Sequence, residues 1–178
     1  MDAFNFDFLG KTVLDIGSST GGFTQLALDR GAKKVIAVEK GSHQMKAPLR
    51  FDSRIELHEK TDIFDFVMGS ALSSTPRPDV IVADVSFLSL TKILKYAKIN
   101  LARSNTDFLV MLKPQFEAEP YHLKNGVVKN ETIRRDIIKR FETWLKANNF
   151  LVIKKRDNSL HGKTGNIERF YWLRQAGK

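Results

Sequence analysis

Cysteine is absent from all 178 residues. That excludes disulfides, thiolate metal sites and any covalent mechanism with a cysteine nucleophile, including the one that methylates a pyrimidine ring carbon. No apolar run approaches the roughly 20 residues that a membrane-spanning helix needs. The N-terminal stretch lacks the basic-then-apolar pattern of a secretory signal. These absences together point to the cytoplasm and away from a membrane. Two nucleotide signatures are also missing. The phosphate-cradling Gly-x-x-x-x-Gly-Lys-Ser/Thr pattern does not occur, because Phe23 follows Gly22. The dinucleotide pattern Gly-x-Gly-x-x-Gly fails at its second glycine, where Ser19 stands.

What is present is a core and one organising turn. The 42% hydrophobic content suits a single domain over residues 1–178. Val13-Leu14-Asp15-Ile16 reads as a buried strand. Gly17-Ser18-Ser19-Thr20-Gly21-Gly22 then makes a tight turn, and from Phe23 the apolar period becomes helical. A strand, a glycine-rich turn and a helix bring backbone N–H groups close to a ligand. Asp15, two residues before Gly17, would repel a pyrophosphate. It would suit a ligand carrying ammonium and sulfonium charge. The turn (Asp15, Gly17, Ser18, Ser19, Gly21, Gly22, Phe23) therefore points to S-adenosyl-L-methionine rather than NAD or ATP. No metal site is expected.

In chain order, strands are expected near 12–16, 34–38, 55–58, 79–84, 107–112, 150–156 and 168–174. Helices are expected to about Arg30, over 43–50, from about Leu90 to Leu101, and over 131–148. Gly31 marks the first helix's end. Residues 69–78, 115–130 and 157–166 read as loops, the second long enough to be functional. Phe4, Phe6 and Phe8 alternate, so residues 1–10 read as the end of an upstream segment that needs something to pack on. Strands alternating with helices, then a terminal hairpin, give an α/β, Rossmann-like, doubly wound open sheet with a C-terminal antiparallel hairpin.

Ligands in such sheets sit at the carboxyl ends of the strands. Glu39 ends the second strand, 22 residues after Gly17, where an acid accepts both ribose hydroxyls. Asp62, after the third strand, could meet an adenine amino group. Asp84 closes the fourth strand and Lys113 the fifth. A charged pair at two apolar strand ends is costly unless it is paired or functional. Glu168 opens the last strand and can approach the same mouth. Methyl transfer is an in-line displacement in which the protein mainly aligns the acceptor, and an amine among carboxylates could orient an acceptor hydroxyl or take its proton.

The net charge is +9. Residues 1–120 carry 15 basic and 15 acidic side chains, and the last 58 carry 14 basic against 5 acidic. A one-sided basic excess is the footprint of a polyanion partner, although a solvated helix face gives the same count. The basic stripe of the 131–148 helix is read as Arg134, Arg135, Lys139, Arg140 and Lys146. Its core stripe is read as Ile133, Ile137, Phe141, Trp144 and Leu145.

Five motifs in order carry a resemblance. They are Asp15-Ile16-Gly17-Ser18-Ser19-Thr20-Gly21-Gly22-Phe23, Asp84-Val85-Ser86-Phe87, Lys113-Pro114-Gln115-Phe116-Glu117, Gly126-Val127-Val128 and Gly165-Asn166-Ile167-Glu168. Together they resemble the hemolysin-A-like (TlyA) ribosomal RNA methyltransferases of the FtsJ-like 2′-O-methyltransferase class. The resemblance spans nearly the whole chain. It implies a seven-stranded methyltransferase sheet, S-adenosyl-L-methionine, and a Lys-Asp-Lys-Glu tetrad acting on a ribose 2′-hydroxyl of cytidine in ribosomal RNA or a ribosomal subunit. Asp84, Lys113 and Glu168 match the last three tetrad members. The family more often has aspartate where Glu39 stands. The first tetrad lysine and the family's small N-terminal RNA-binding domain have no counterpart here, and Lys11 lies at the wrong end of its strand. The expectation is a chain trimmed after that domain, which binds cofactor yet methylates poorly. Competing readings are a non-catalytic RNA-binding or membrane-active protein, a nicotinamide oxidoreductase, and a DNA base methyltransferase. The last lacks its usual Asn/Asp-Pro-Pro-Tyr, because Asp84 is followed by Val85 and Ser86.

Overall fold

The structure is a computed structural model that describes residues 4–68, 76–158 and 165–177. Its frame is one seven-stranded sheet. The strands are β1 (Thr12–Ile16), β2 (Lys34–Val38), β3 (Ile55–His58), β4 (Val80–Ala83), β5 (Asp107–Leu112), β6 (Phe150–Asp157) and β7 (Arg169–Gln175), in the order β3-β2-β1-β4-β5-β7-β6. The first five run parallel, and β7 lies antiparallel to both β5 and β6. The doubly wound sheet and its terminal hairpin are therefore as read from the sequence.

Two helical layers cover the sheet, because the central strands are apolar on both sides. Along β1 the side chains alternate faces. Leu14 and Ile16 join a core with α2 (Leu90–Asn100) and α4 (Glu131–Ala147), through Ile93, Leu94, Phe141 and Leu145. Val13 faces the other way, into a smaller core with Ala27 and Leu28 of α1 (Gly22–Asp29). Phe4, Phe6 and Phe8 are buried in this second core, and Phe6 meets Trp172 edge-on at 5.0 Å. The alternating phenylalanines thus pack on the molecule's own sheet.

Several expectations need correction. Residues 43–50 are bends and turns rather than a helix, and only Leu49–Phe51 form a 3₁₀ turn. Pro48 disfavours helical geometry at Ala47, and His43 holds a positive φ of 54°. Residues 115–130 are not an unstructured loop. They include most of α3 (Pro114–Glu117), a 3₁₀ turn (Pro120–His122) and a Lys124–Val127 bridge. Arg134 is not on a solvated face: it is 6% exposed and bound to Asp157, Glu131 and the Ile167 carbonyl. Ile138 takes a core position that the reading omitted, while Ile133 and Trp144 are half-buried. The loops read at 69–78 and 157–166 fall largely on residues 69–75 and 159–164, outside the described residues.

Candidate active site

The chain leaves β1 toward β2 and β3, then returns to the other side of β1 as β4. That reversal separates the loops after β1 and β4 and opens a crevice at the strands' carboxyl ends. A cavity of about 570 Å³ lies there, lined among others by Gly17, Ser19, Glu39, Asp62, Asp84 and Phe87.

The turn after β1 forms its floor. Gly17 has φ 76°, and a Cβ there would sit 3.3 Å from the Asp84 carbonyl oxygen. Glycine is thus required both by the left-handed backbone and by the close approach of β4. Ser19, at the second glycine's place, also has a positive φ (47°). Its N–H donates to Glu39 Oε2 at 2.9 Å, and the Gly41 N–H donates to Oε1 at 2.6 Å. Glu39 therefore ties the β1 turn to the loop after β2. Each of its oxygens keeps a lone pair for a further donor.

Asp62 lines the same cavity. Lys40 lies 2.9 Å from its carboxylate, and the Phe64 N–H donates to it at 3.1 Å. Lys40 holds the Asp62 carboxyl below its usual range, with the Phe64 N–H helping.

Five residues assigned to the cofactor do not line the cavity. Asp15 is fully buried and accepts a 2.6 Å hydrogen bond from the Thr24 hydroxyl of α1. It shares Val13's face of β1, so it points into the α1 layer rather than the crevice. Burial pushes its carboxyl up to about 7, with Asp84 and Glu39 adding to the rise and the Thr24 bonds opposing it. Ser18 is 4% exposed beneath the turn. Gly21 and Gly22 begin α1, and Phe23 packs against the α1-side core. A Cβ at Gly21 would collide with Leu49 Cδ2 at 2.3 Å. These residues shape the turn from behind.

Lys113 does not itself line the cavity, but its Nζ lies 2.7 Å from Oδ1 of Asp84, which does, and the lysine side chain is 13% exposed. It also donates to Ser86 Oγ at 3.0 Å. Glu168 is not part of the lining either. Its carboxylate accepts from Gln115 Nε2 at 3.4 Å, two residues beyond Lys113. The approach of Glu168 is fixed from behind by Arg134 Nε on the Ile167 carbonyl. Asn166 contributes too, bonding the Val128 N–H and the Gly126 carbonyl. The arrangement brings the Lys113 amine to Asp84 and Ser86, two residues that line the cavity together with the glycine turn.

Ser86, Phe87, Gln115 and Glu117 stand in two of the motifs that carry the resemblance, yet no role for any of them was legible from the sequence. Phe87 is 86% exposed with φ 65°, and its ring centroid lies 5.0 Å from that of Phe116.

Comparison with known proteins identifies the family. A Campylobacter jejuni protein named 23S rRNA (cytidine-2′-O)-methyltransferase TlyA is 37% identical over 164 residues, 91% of this chain. The chain spans about 61% of that relative's length. A solved Lactococcus lactis protein, provisionally labelled a hemolysin, superposes with a TM-score of 0.91 at 33% identity, covering 99% of this chain and 84% of that one. A Listeria monocytogenes structure described as an S-adenosylmethionine-dependent methyltransferase shares the fold, with a TM-score of 0.67 at 18% identity over 97% of this chain and 94% of that one. The profile of the FtsJ-like methyltransferases matches residues 1–175, and the chain belongs to that family.

Proposed function

We propose that this chain is the methyl-transferring domain of a ribosomal RNA 2′-O-methyltransferase that uses S-adenosyl-L-methionine and modifies cytidine. The observation that carries the reading is the Lys113–Asp84 pair, 2.7 Å apart, whose acid lines the cavity that rests on Gly17. The residues present suit the cofactor. Gly17 leaves room for close approach, Glu39 can accept from ribose hydroxyls, and Asp62 can accept from the adenine amino group. Asp84 offers negative charge to a cationic ligand. When bound, the cofactor supplies a methyl group on a sulfonium leaving group.

The chain's own task is then alignment. Lys113 hydrogen-bonds the acceptor's 2′-hydroxyl and orients it for in-line transfer. Asp84 and Ser86 fix the amine, and Glu168 stands beside Gln115. The substrate assignment draws on the named Campylobacter relative and on the basic C-terminal third.

Mapping of ribose methylation on rRNA incubated with the chain and cofactor tests the reading. The expected result is a cytidine 2′-O-methyl mark. Lys113→Ala is expected to abolish transfer while leaving cofactor affinity, measured by calorimetry, within a factor of about three. Equal loss of both would make Lys113 structural. Preference for NAD, or vesicle leakage without methyl transfer, would replace the reading altogether.

A further inference from the structure

Residues 84–90, which include Asp84, Ser86 and Phe87 of the cavity lining, face residues 113–117 as a ladder. Lys113 meets Asp84 and Ser86. Next, Phe116 meets Phe87. The last rung is Glu117. Its Oε1 accepts from the Leu90 N–H at 2.6 Å, and its Oε2 accepts from the Ser89 hydroxyl at 2.8 Å.

This rung is unusual for its helix. Ser89 is the N-cap of α2, where a serine side chain ordinarily accepts a backbone N–H of its own first turn. It makes no such bond. It gives its hydroxyl to Glu117 instead, and the acid of another helix caps α2 from outside. A carboxylate at a helix N-terminus is favoured by the helix dipole. Burial raises the Glu117 carboxyl, and the Leu90 N–H, the Ser89 hydroxyl and the Arg140 charge draw it back.

The consequence lies at the other end of α3. That helix is a single turn whose N-cap is Lys113 and whose last residue is Glu117. Pro114 stiffens its start. Fastening Glu117 to α2 therefore fixes the backbone from which Lys113 reaches Asp84. We propose that Glu117 is a positioning residue: it joins the Lys113 segment to the Asp84 segment and so holds the amine in place. The inference rests on the reading of Asp84 and Lys113 as the reacting pair.

The test compares Glu117→Ala and Glu117→Gln in the full chain by three measurements. These are the rate at which Lys113 is acetylated by a small reagent (read by mass spectrometry), cofactor affinity and kcat. In Glu117→Ala, Lys113 labelling is expected to rise severalfold while labelling of Lys155, paired with Glu142 on another element, stays constant. Cofactor affinity holds, and kcat falls between about 10- and 100-fold, as a small misplacement of a reacting group does. Glu117→Gln retains an acceptor for the Leu90 N–H, and most of the rise in labelling and of the fall in kcat is reversed. Unchanged Lys113 labelling in folded Glu117→Ala, or activity that falls only in step with the melting temperature, overturns the proposal. Should Glu117→Ala not fold, Ser89→Ala removes one of the two bonds and carries the same readouts with smaller changes. The labelling readout needs no methyl transfer. A wild-type chain that fails to methylate, yet whose Lys113 labelling follows Glu117, would therefore refute the reaction and not the positioning.

Discussion

Asp15 carries the clearest pH signature at the scale of single residues. Its folded pKa is raised from 3.8 to about 7, with burial the largest cause. Folding therefore takes up a proton between those values. Stability from this group is full below pH 4, falls as pH rises toward 7, and is level above. A shift of this size corresponds to a loss on the order of 4 kcal/mol. Asp15→Asn removes the titration. Its melting temperature, measured at pH 5 and pH 8, is expected to fall less between the two than that of the parent. An equal fall in both proteins would mean that Asp15 ionises freely. The motif showed that an acid stands two residues before Gly17. Which way it points was not legible, because that depends on which face of β1 meets α1. Lys113 and Asp84 were legible, since each ends an apolar run. Their mutual approach required the adjacency of β4 and β5.

The turn between β1 and α1 is where element-scale geometry is most exacting. Gly17→Ala adds a methyl 3.3 Å from a backbone oxygen of the β4 end, at φ 76°. We expect a stability loss of about 1–2 kcal/mol by urea unfolding. Cofactor affinity should fall by about tenfold or more, because the cavity floor moves. Gly22→Ala is the control. Nothing lies within 4 Å of its added Cβ, and Gly22 starts a helix. There, alanine is expected to stabilise by up to about 1 kcal/mol. Strands were readable nearly to the residue because their apolar runs are short and bounded. The α3 turn was not, since four residues carry no helical period. Its shape comes from Pro114 at one end and the Glu117 contact with α2 at the other.

For the whole molecule, charge looks different in three dimensions. The last 58 residues hold an excess of cations, but Arg134, Arg135, Lys155, Arg169 and Arg174 are each within ion-pair distance of an acid. The footprint left for a polyanion is therefore smaller than the sequence count. Lys139 and Lys146 stand along one side of α4, beside a second cavity of about 510 Å³ whose acids Glu131, Glu142 and Asp157 are already paired. Binding of the proposed rRNA substrate should weaken steeply with salt. The double variant Lys139→Glu/Lys146→Glu is expected to reduce the slope of log K against log salt by about one to two, with cofactor affinity unchanged. An unaltered slope would remove α4 from the RNA path. None of the helices is long and apolar enough to cross a membrane, among the described residues.

The sequence by itself determined the order of strands and helices, the glycine turn and the acids at strand ends, because each is a local pattern of size, polarity and backbone freedom. Tertiary structure alone decided that Asp15 turns into the α1 layer rather than toward the crevice. It alone brought the Lys113 segment against the Asp84 segment and hid Arg134. Those outcomes depend on strand adjacency and on which face of each element is covered. Contacts between residues far apart in the chain set both, and no short stretch of sequence encodes them.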